Sequence, residues 1–187
     1  MKFKDTLKKF WAFLKKDSLA SWIVSLILLF ILIKFIIFPL LSLTTGSSLP
    51  LVVVESCSMY HNSNFDDWWY QNSAWYLSRN ITKSEFEVFA LKNGLNKGDI
   101  VIVLGEKQPK IGDIIIYNAG TQYPLIHRIV TLSPLGTKGD NNIEQLDLEH
   151  NINGPIIGRA VARIPLLGWV KLIFLEPFKS ASQRGLC

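Results

Sequence analysis

The residues whose types and spacing suit chemistry are Glu55-Ser56-Cys57-Ser58-Met59, answered downstream by Leu125-Ile126-His127-Arg128 and Thr137-Lys138-Gly139-Asp140. A serine hydroxyl is a weak nucleophile at neutral pH. It needs a base within about 2.6–3.2 Å and a third group to orient that base. Ser58, His127 and Asp140 can fill those three roles. Each alone has an ordinary structural explanation, as a serine beside a strand, a histidine within one and an aspartate in a Gly-Asp-Asn turn. Together, on one side of a single apolar span, they point to a membrane-bound serine hydrolase. Cys57 is not the nucleophile, because an extended chain turns its side chain opposite to that of Ser58.

Other reactive side chains have poorer contexts. His61 lies beyond the nucleophile and is expected to make a surface or local contact. Lys138 could in principle form a Ser-Lys dyad, but its neighbourhood is that of an acidic turn, which it would anchor. His150 reads as a loop residue. Two cysteines are too few for a disulfide framework. No His/Cys cluster has metal-ligand spacing and no phosphate loop is present, so no metal and no cofactor are expected. Asn80-Ile81-Thr82 is a glycosylation sequon of a kind frequent by chance, and Thr82 already has a capping role.

These residues need an anchor and a scaffold. The 187-residue chain has room for both and for no second large domain. Residues 19–43 form the expected transmembrane helix. Its apolar run from Trp22 to Leu43 can cross a hydrocarbon core of roughly 30 Å, and Lys34 and Pro39 are its only irregularities. An uncleaved anchor is favoured over a secretory signal, whose apolar region would be only about 7–15 residues. The basic tail, residues 1–18, carries Lys2, Lys4, Lys8, Lys9, Lys15 and Lys16, and this bias puts the N-terminus in the cytoplasm and residues 44–187 outside. The sequence pI of 9.2 comes from that tail. From Thr44 onward, basic and acidic side chains balance at 13 against 13. Nucleic acid is therefore not an expected partner.

After a polar linker, Leu51 to Val54 reads as a buried strand that stops where Ser56-Cys57-Ser58 begins. Asp99 to Leu104, Asp113 to Tyr117, Leu125 to Leu132 and Ile156 to Ile164 are further strands, separated by Gly, Pro and Asn. The fold class is mainly β, antiparallel. Between residues 62 and 97, aromatic residues recur at helical intervals and Thr82-Lys83-Ser84-Glu85 is a capping box, so this stretch is a helix-rich insertion. Its aromatic stripe is read as its own small core, with Trp68, Trp69, Trp75 and Tyr76 dipping into a membrane interface as the alternative. Leu166 to Phe178 is apolar but too short to span a membrane.

The motifs carry a family resemblance. Ser56-Cys57-Ser58-Met59, Gly112-Asp113-Ile114-Ile115, His127-Arg128-Ile129-Val130 and Thr137 to Asn142, with Gly158 to Pro165 and Gly168-Trp169, resemble in order the boxes of type I signal peptidases. His127 stands where bacterial members place a lysine, so the chain resembles the archaeal and endoplasmic-reticulum type. The resemblance implies a serine endopeptidase that removes signal peptides from exported preproteins, with membrane lipid and the translocon as surroundings. Ser58 would be nucleophile, His127 general base, Ser56 an oxyanion donor beside the Ser58 N–H, and Asp140 the orienting carboxylate in preference to Asp147. Leu51, Val53 and Ile126 are candidates for lining shallow substrate pockets. A processing peptidase for specialised pilin-like or surface proteins and a non-catalytic scaffold are the alternatives.

Overall fold

The computed structural model describes residues 2–106 and 108–187. It divides into two compact units, Met1–Thr44 and Thr45–Cys187.

In the first unit, helix α1 (Lys2–Leu14) is followed by α2 (Leu19–Leu32), a π-helical turn at Ile33–Ile37 and α3 (Phe38–Thr45). Ser18 caps α2 by accepting a hydrogen bond from the Ser21 N–H. The π turn lies just before Pro39, which has no N–H and whose ring crowds the carbonyl four residues earlier. From Leu19 to Thr45 the helix is continuous over 27 residues, long and apolar enough to cross a membrane, with none of its most apolar stretch buried inside the protein.

The second unit is built on one six-stranded antiparallel sheet, ordered β1-β2-β6-β3-β4-β5. Its strands are β1 (Leu51–Val53), β2 (Ile100–Leu104), β3 (Ile114–Tyr117), β4 (Leu125–Leu132), β5 (Leu135–Lys138) and β6 (Ile156–Ile164). Five of these match the expected Ile/Val runs. The short β5 was not anticipated: Leu135-Gly136-Thr137-Lys138 has little apolar signal, and it pairs with β4 because the two are joined by a tight turn. On one face, Val101, Val103, Ile114, Ile116 and Ala160 pack with Val54, Met59 and Leu95. On the other, Ile115, Tyr117 and Ile129 pack beneath Ile152.

Between β1 and β2 lies the aromatic segment, with helices α4 (Phe65–Leu77) and α5 (Lys83–Glu87). Both halves of the Thr82/Glu85 capping box are formed. Trp68, Trp69, Tyr76, Ile81 and Phe86 form a core of their own with Val130 of β4. Trp68, Trp69 and Tyr76 are buried, so the stripe does not face outward, and Trp75 is half-buried under the Arg79 guanidinium. Helix α6 (Trp169–Leu175) buries Leu172 and leaves Val170, Ile173 and Phe174 exposed.

Candidate active site

Ser58 stands in the loop leaving β1, the first strand at one edge of the sheet. The loop is held underneath by Met59, which is buried in the main core and whose carbonyl accepts the Leu95 N–H at 2.8 Å. Gly94 permits this approach: it has φ +70°, and a Cβ there would lie 2.3 Å from the Met59 carbonyl oxygen. Cys57 forms a disulfide with Cys187, tying the end of the chain to this loop. The expectation from cysteine number concerned a framework; a single bridge is what forms.

His127 reaches the loop from β4. β5 ends at Lys138, opposite Arg128, so β4 has no β5 partner at His127. The chain turns there, through Gly139 to Asn142, and the Ser58 loop comes in beside it. Asn141 N–H donates to the Ser58 carbonyl at 2.8 Å, and Asn141 Nδ2 donates to the Cys57 carbonyl at 3.0 Å. The outcome is a contact of 3.0 Å between Ser58 Oγ and His127 Nε2. Ser56 Oγ lies 3.2 Å from Ser58 Oγ on the exposed side. His127 is 3 % exposed, whereas Ser58 is only half-buried, so the hydroxyl is accessible and the imidazole is shielded.

The carboxylate beside His127 is neither of the two expected. Glu149 Oε1 lies 2.5 Å from His127 Nδ1. The oxygen stands off the axis of the ring N–H, so the approach is close without being an aligned hydrogen bond. Glu149 is fully buried. Its Oε1 also accepts from the Gly139 N–H at 3.2 Å and its Oε2 from the Leu146 N–H at 2.7 Å. Asp147 begins the same short 3-10 turn but is exposed, with no contact to His127 among the described residues.

Asp140 is committed elsewhere. It receives Arg128 Nε at 3.0 Å and Nη2 at 2.7 Å, His61 Nε2 at 3.1 Å and the Tyr76 hydroxyl at 3.2 Å. Burial alone would raise its pKa, but the Arg128 charge and the His61 and Arg128 hydrogen bonds outweigh it and hold the carboxyl well below the usual range. All five guanidinium N–H groups of Arg128 are used: those not on Asp140 reach the carbonyls of Ala90, Leu91 and Gly112. An ion pair this deeply buried is tolerable because every donor and acceptor in it is matched.

His61, expected at the surface, is buried in this network, its ring stacked 3.7 Å from that of Trp68. Burial lowers its pKa against the opposing pull of Asp140. Lys138 is also buried. Its Nζ donates to the Gly139 carbonyl and lies over the Trp75 and Tyr76 rings, and burial lowers its pKa to about 8.

The candidate substrate-lining residues divide. Leu51 and Val53 are half-buried on the edge strand, pointing to the face opposite Val52 and the core. Ile126 is half-buried and packs against the core cluster that includes Met59, on the face of β4 opposite to that of His127.

The arrangement can transfer a proton from Ser58 to His127, stabilise the imidazolium with Glu149 and present Ser56 to a developing oxyanion. No group of three or more metal-ligating side chains occurs among the described residues.

A comparison with protein-family models returns no match. The chain is 28% identical over 114 residues to the signal peptidase complex catalytic subunit SEC11 of Pyricularia oryzae, a match covering 52% of this chain and 66% of that protein. It is 29% identical over 115 residues to the subunit of the same name from Sclerotinia sclerotiorum, again covering 52% and 66%. For the Scheffersomyces stipitis subunit the identity is 28% over 116 residues, covering 51% of this chain and 70% of the relative. The chain thus spans just under two thirds of the length of the first of these relatives. In motif order and in carrying a histidine before the arginine of β4, the chain is similar to these signal peptidase complex catalytic subunits.

Proposed function

We propose that this chain is a membrane-anchored serine endopeptidase that removes signal peptides from exported preproteins. The observation that carries the reading is the 3.0 Å contact between Ser58 Oγ and His127 Nε2, with a buried carboxylate at the other ring nitrogen. Ser58 attacks the scissile carbonyl carbon while its proton passes to His127 Nε2. The negative charge gathers on the carbonyl oxygen, where the Ser58 N–H and the Ser56 hydroxyl act as donors. His127 then gives its proton to the leaving amine, and water, activated in turn by His127, releases the acyl group. Glu149 holds the imidazole and stabilises its charged form. Asp140 acts at one remove, neutralising Arg128 and fixing the turn.

The substrate chain adds as an extended strand along the uncovered edge of β4 at Leu125 to His127, with Leu51 and Val53 contacting its small side chains. The helix Leu19–Thr45 anchors the enzyme in the bilayer where its substrates arrive, beside membrane lipid and the translocon. Six lysines before the span favour a cytoplasmic N-terminus, and the Cys57–Cys187 bridge suits an oxidising exterior for the β domain.

The test is cleavage of a preprotein by the purified full chain in detergent, beside Ser58→Ala and His127→Ala. Each variant is expected to lose activity by at least about 10³-fold. A Ser58→Ala protein that still cleaves at the wild-type rate removes Ser58 as nucleophile, and with it this reading.

A further inference from the structure

We infer that Asn141 is the positioning residue for the oxyanion donor, aiming the backbone N–H of Ser58 by holding the peptide unit to which it belongs. The inference rests on Ser58 being the nucleophile, as proposed above.

The Ser58 N–H and the Cys57 carbonyl are the two ends of one planar trans peptide, so they point in opposite directions. Fixing the carbonyl fixes the N–H. Asn141 Nδ2 donates to the Cys57 oxygen at 3.0 Å. The following peptide unit is fixed as well, since the Asn141 backbone N–H donates to the Ser58 carbonyl at 2.8 Å. A single residue therefore grips both peptide planes that flank the Ser58 Cα. Among the described residues no acceptor takes the Ser58 N–H, which leaves it available to a ligand. This segment otherwise lacks regular structure: β1 has ended at Val53, and Ser56 to Met59 form a bend and turn with no strand partner.

Asn141 is well placed to act as such a grip. Two residues earlier, Gly139 comes so near that a Cβ there would lie 2.8 Å from the Ser58 carbonyl oxygen. The residue between them, Asp140, is anchored in the Arg128 network, and the Asp140 N–H faces Met59 Sδ at 3.4 Å. The same turn donates the Gly139 N–H to Glu149, so the base and the oxyanion donor are aligned from one short segment. The Asn141 side chain is exposed and serves no buried core, so its removal should spare folding.

The experiment compares full-length wild type, Asn141→Asp and Asn141→Ala in detergent by preprotein kinetics, by inhibition with a peptide aldehyde and by thermal unfolding. With the aldehyde, a bond forms from Ser58 Oγ to the carbonyl carbon, the serine proton moves to His127 and the carbonyl π pair goes to oxygen. The adduct thus reads the oxyanion donors directly. Asn141→Asp is close in shape but replaces the side-chain donor with an acceptor. We expect kcat to fall by about 10- to 100-fold in both variants, less than for outright loss of a donor. KM should stay within about twofold, the aldehyde Ki should rise in step with the loss in kcat, and the melting temperature should be unchanged. An unchanged kcat, a loss carried by KM with unchanged aldehyde Ki, or loss of folding in both variants would overturn the role. Failure of wild type to form the aldehyde adduct at Ser58 would instead overturn the nucleophile assignment, and the inference with it.

Discussion

His127 Nδ1 lies 2.5 Å from Glu149 Oε1, and both side chains are buried. This pairing means that the imidazole is held by a glutamate at the end of a 3-10 turn, while the aspartate of the Gly-Asp-Asn turn serves another partner. Glu149→Gln is expected to lower kcat by about 10³–10⁴-fold, by analogy with removal of the charge from a serine-protease triad. Asp147→Asn should leave cleavage within about twofold of wild type. Preprotein kinetics on the two variants checks the assignment, which fails if their effects are reversed.

Asp140 has a different signature. Asp140→Ala leaves the Arg128 guanidinium buried without its counter-charge, a loss of about 3–5 kcal/mol in unfolding free energy. Denaturant unfolding of the full chain in detergent measures it. A loss below about 1 kcal/mol would mean that water or another group replaces the carboxylate.

Stability should also depend on mild acid through His61. Burial, opposed by Asp140, lowers its pKa from 6.5, so below that pH the unfolded chain binds a proton that the folded one refuses. Stability is then fully present above about 6.5 and falls as the pH drops toward the lowered native value. Asp140, depressed from 3.8, adds a loss of the same sign in stronger acid. Melting temperatures should therefore be level above pH 6.5 and decline below it, and His61→Gln should flatten the upper part of the decline. A melting temperature that rises on acidification from pH 7 to 5.5 would contradict the assignment.

The Cys57–Cys187 bridge closes a separation of 130 residues, and in the chain-entropy view such a loop stabilises by up to about 5 kcal/mol. Cys187→Ser is expected to lower the melting temperature of the full chain, and reducing agent should do the same to wild type but not to the variant. Equal sensitivity of both proteins to reductant would show that the bridge is not what the reagent breaks.

Much of this was readable from residue types alone. Five strands announced themselves as Ile/Val runs between turn residues, because a half-buried pleated surface selects those side chains. Ser58 and His127 stood out through short, ordered contexts. Glu149 did not, for a physical reason: it sits in an acidic stretch with Glu144 and Asp147, and only the 3-10 turn decides which carboxylate points inward. One added methylene also lets a glutamate reach where an aspartate at a nearby position would not. His61 was missed because its partner, Asp140, is 79 residues away and the aromatic helices that bury it leave no local mark.

The partners of Arg128 bear on how this protein can be altered. Its guanidinium leans on the carbonyls of Ala90 and Leu91 and on the Phe86 ring, and its carboxylate is shared with His61 and Tyr76. Ala90, Leu91, Phe86 and Tyr76 come from the segment that most resembles a removable decoration, and His61 immediately precedes it. Splicing it out, or exchanging it for a short loop from a relative, would strip the lining from a buried charge one residue away from His127. Any chimera across this segment would have to bring its own matched set of acceptors, so the aromatic helices and the six-stranded sheet are constrained to change together.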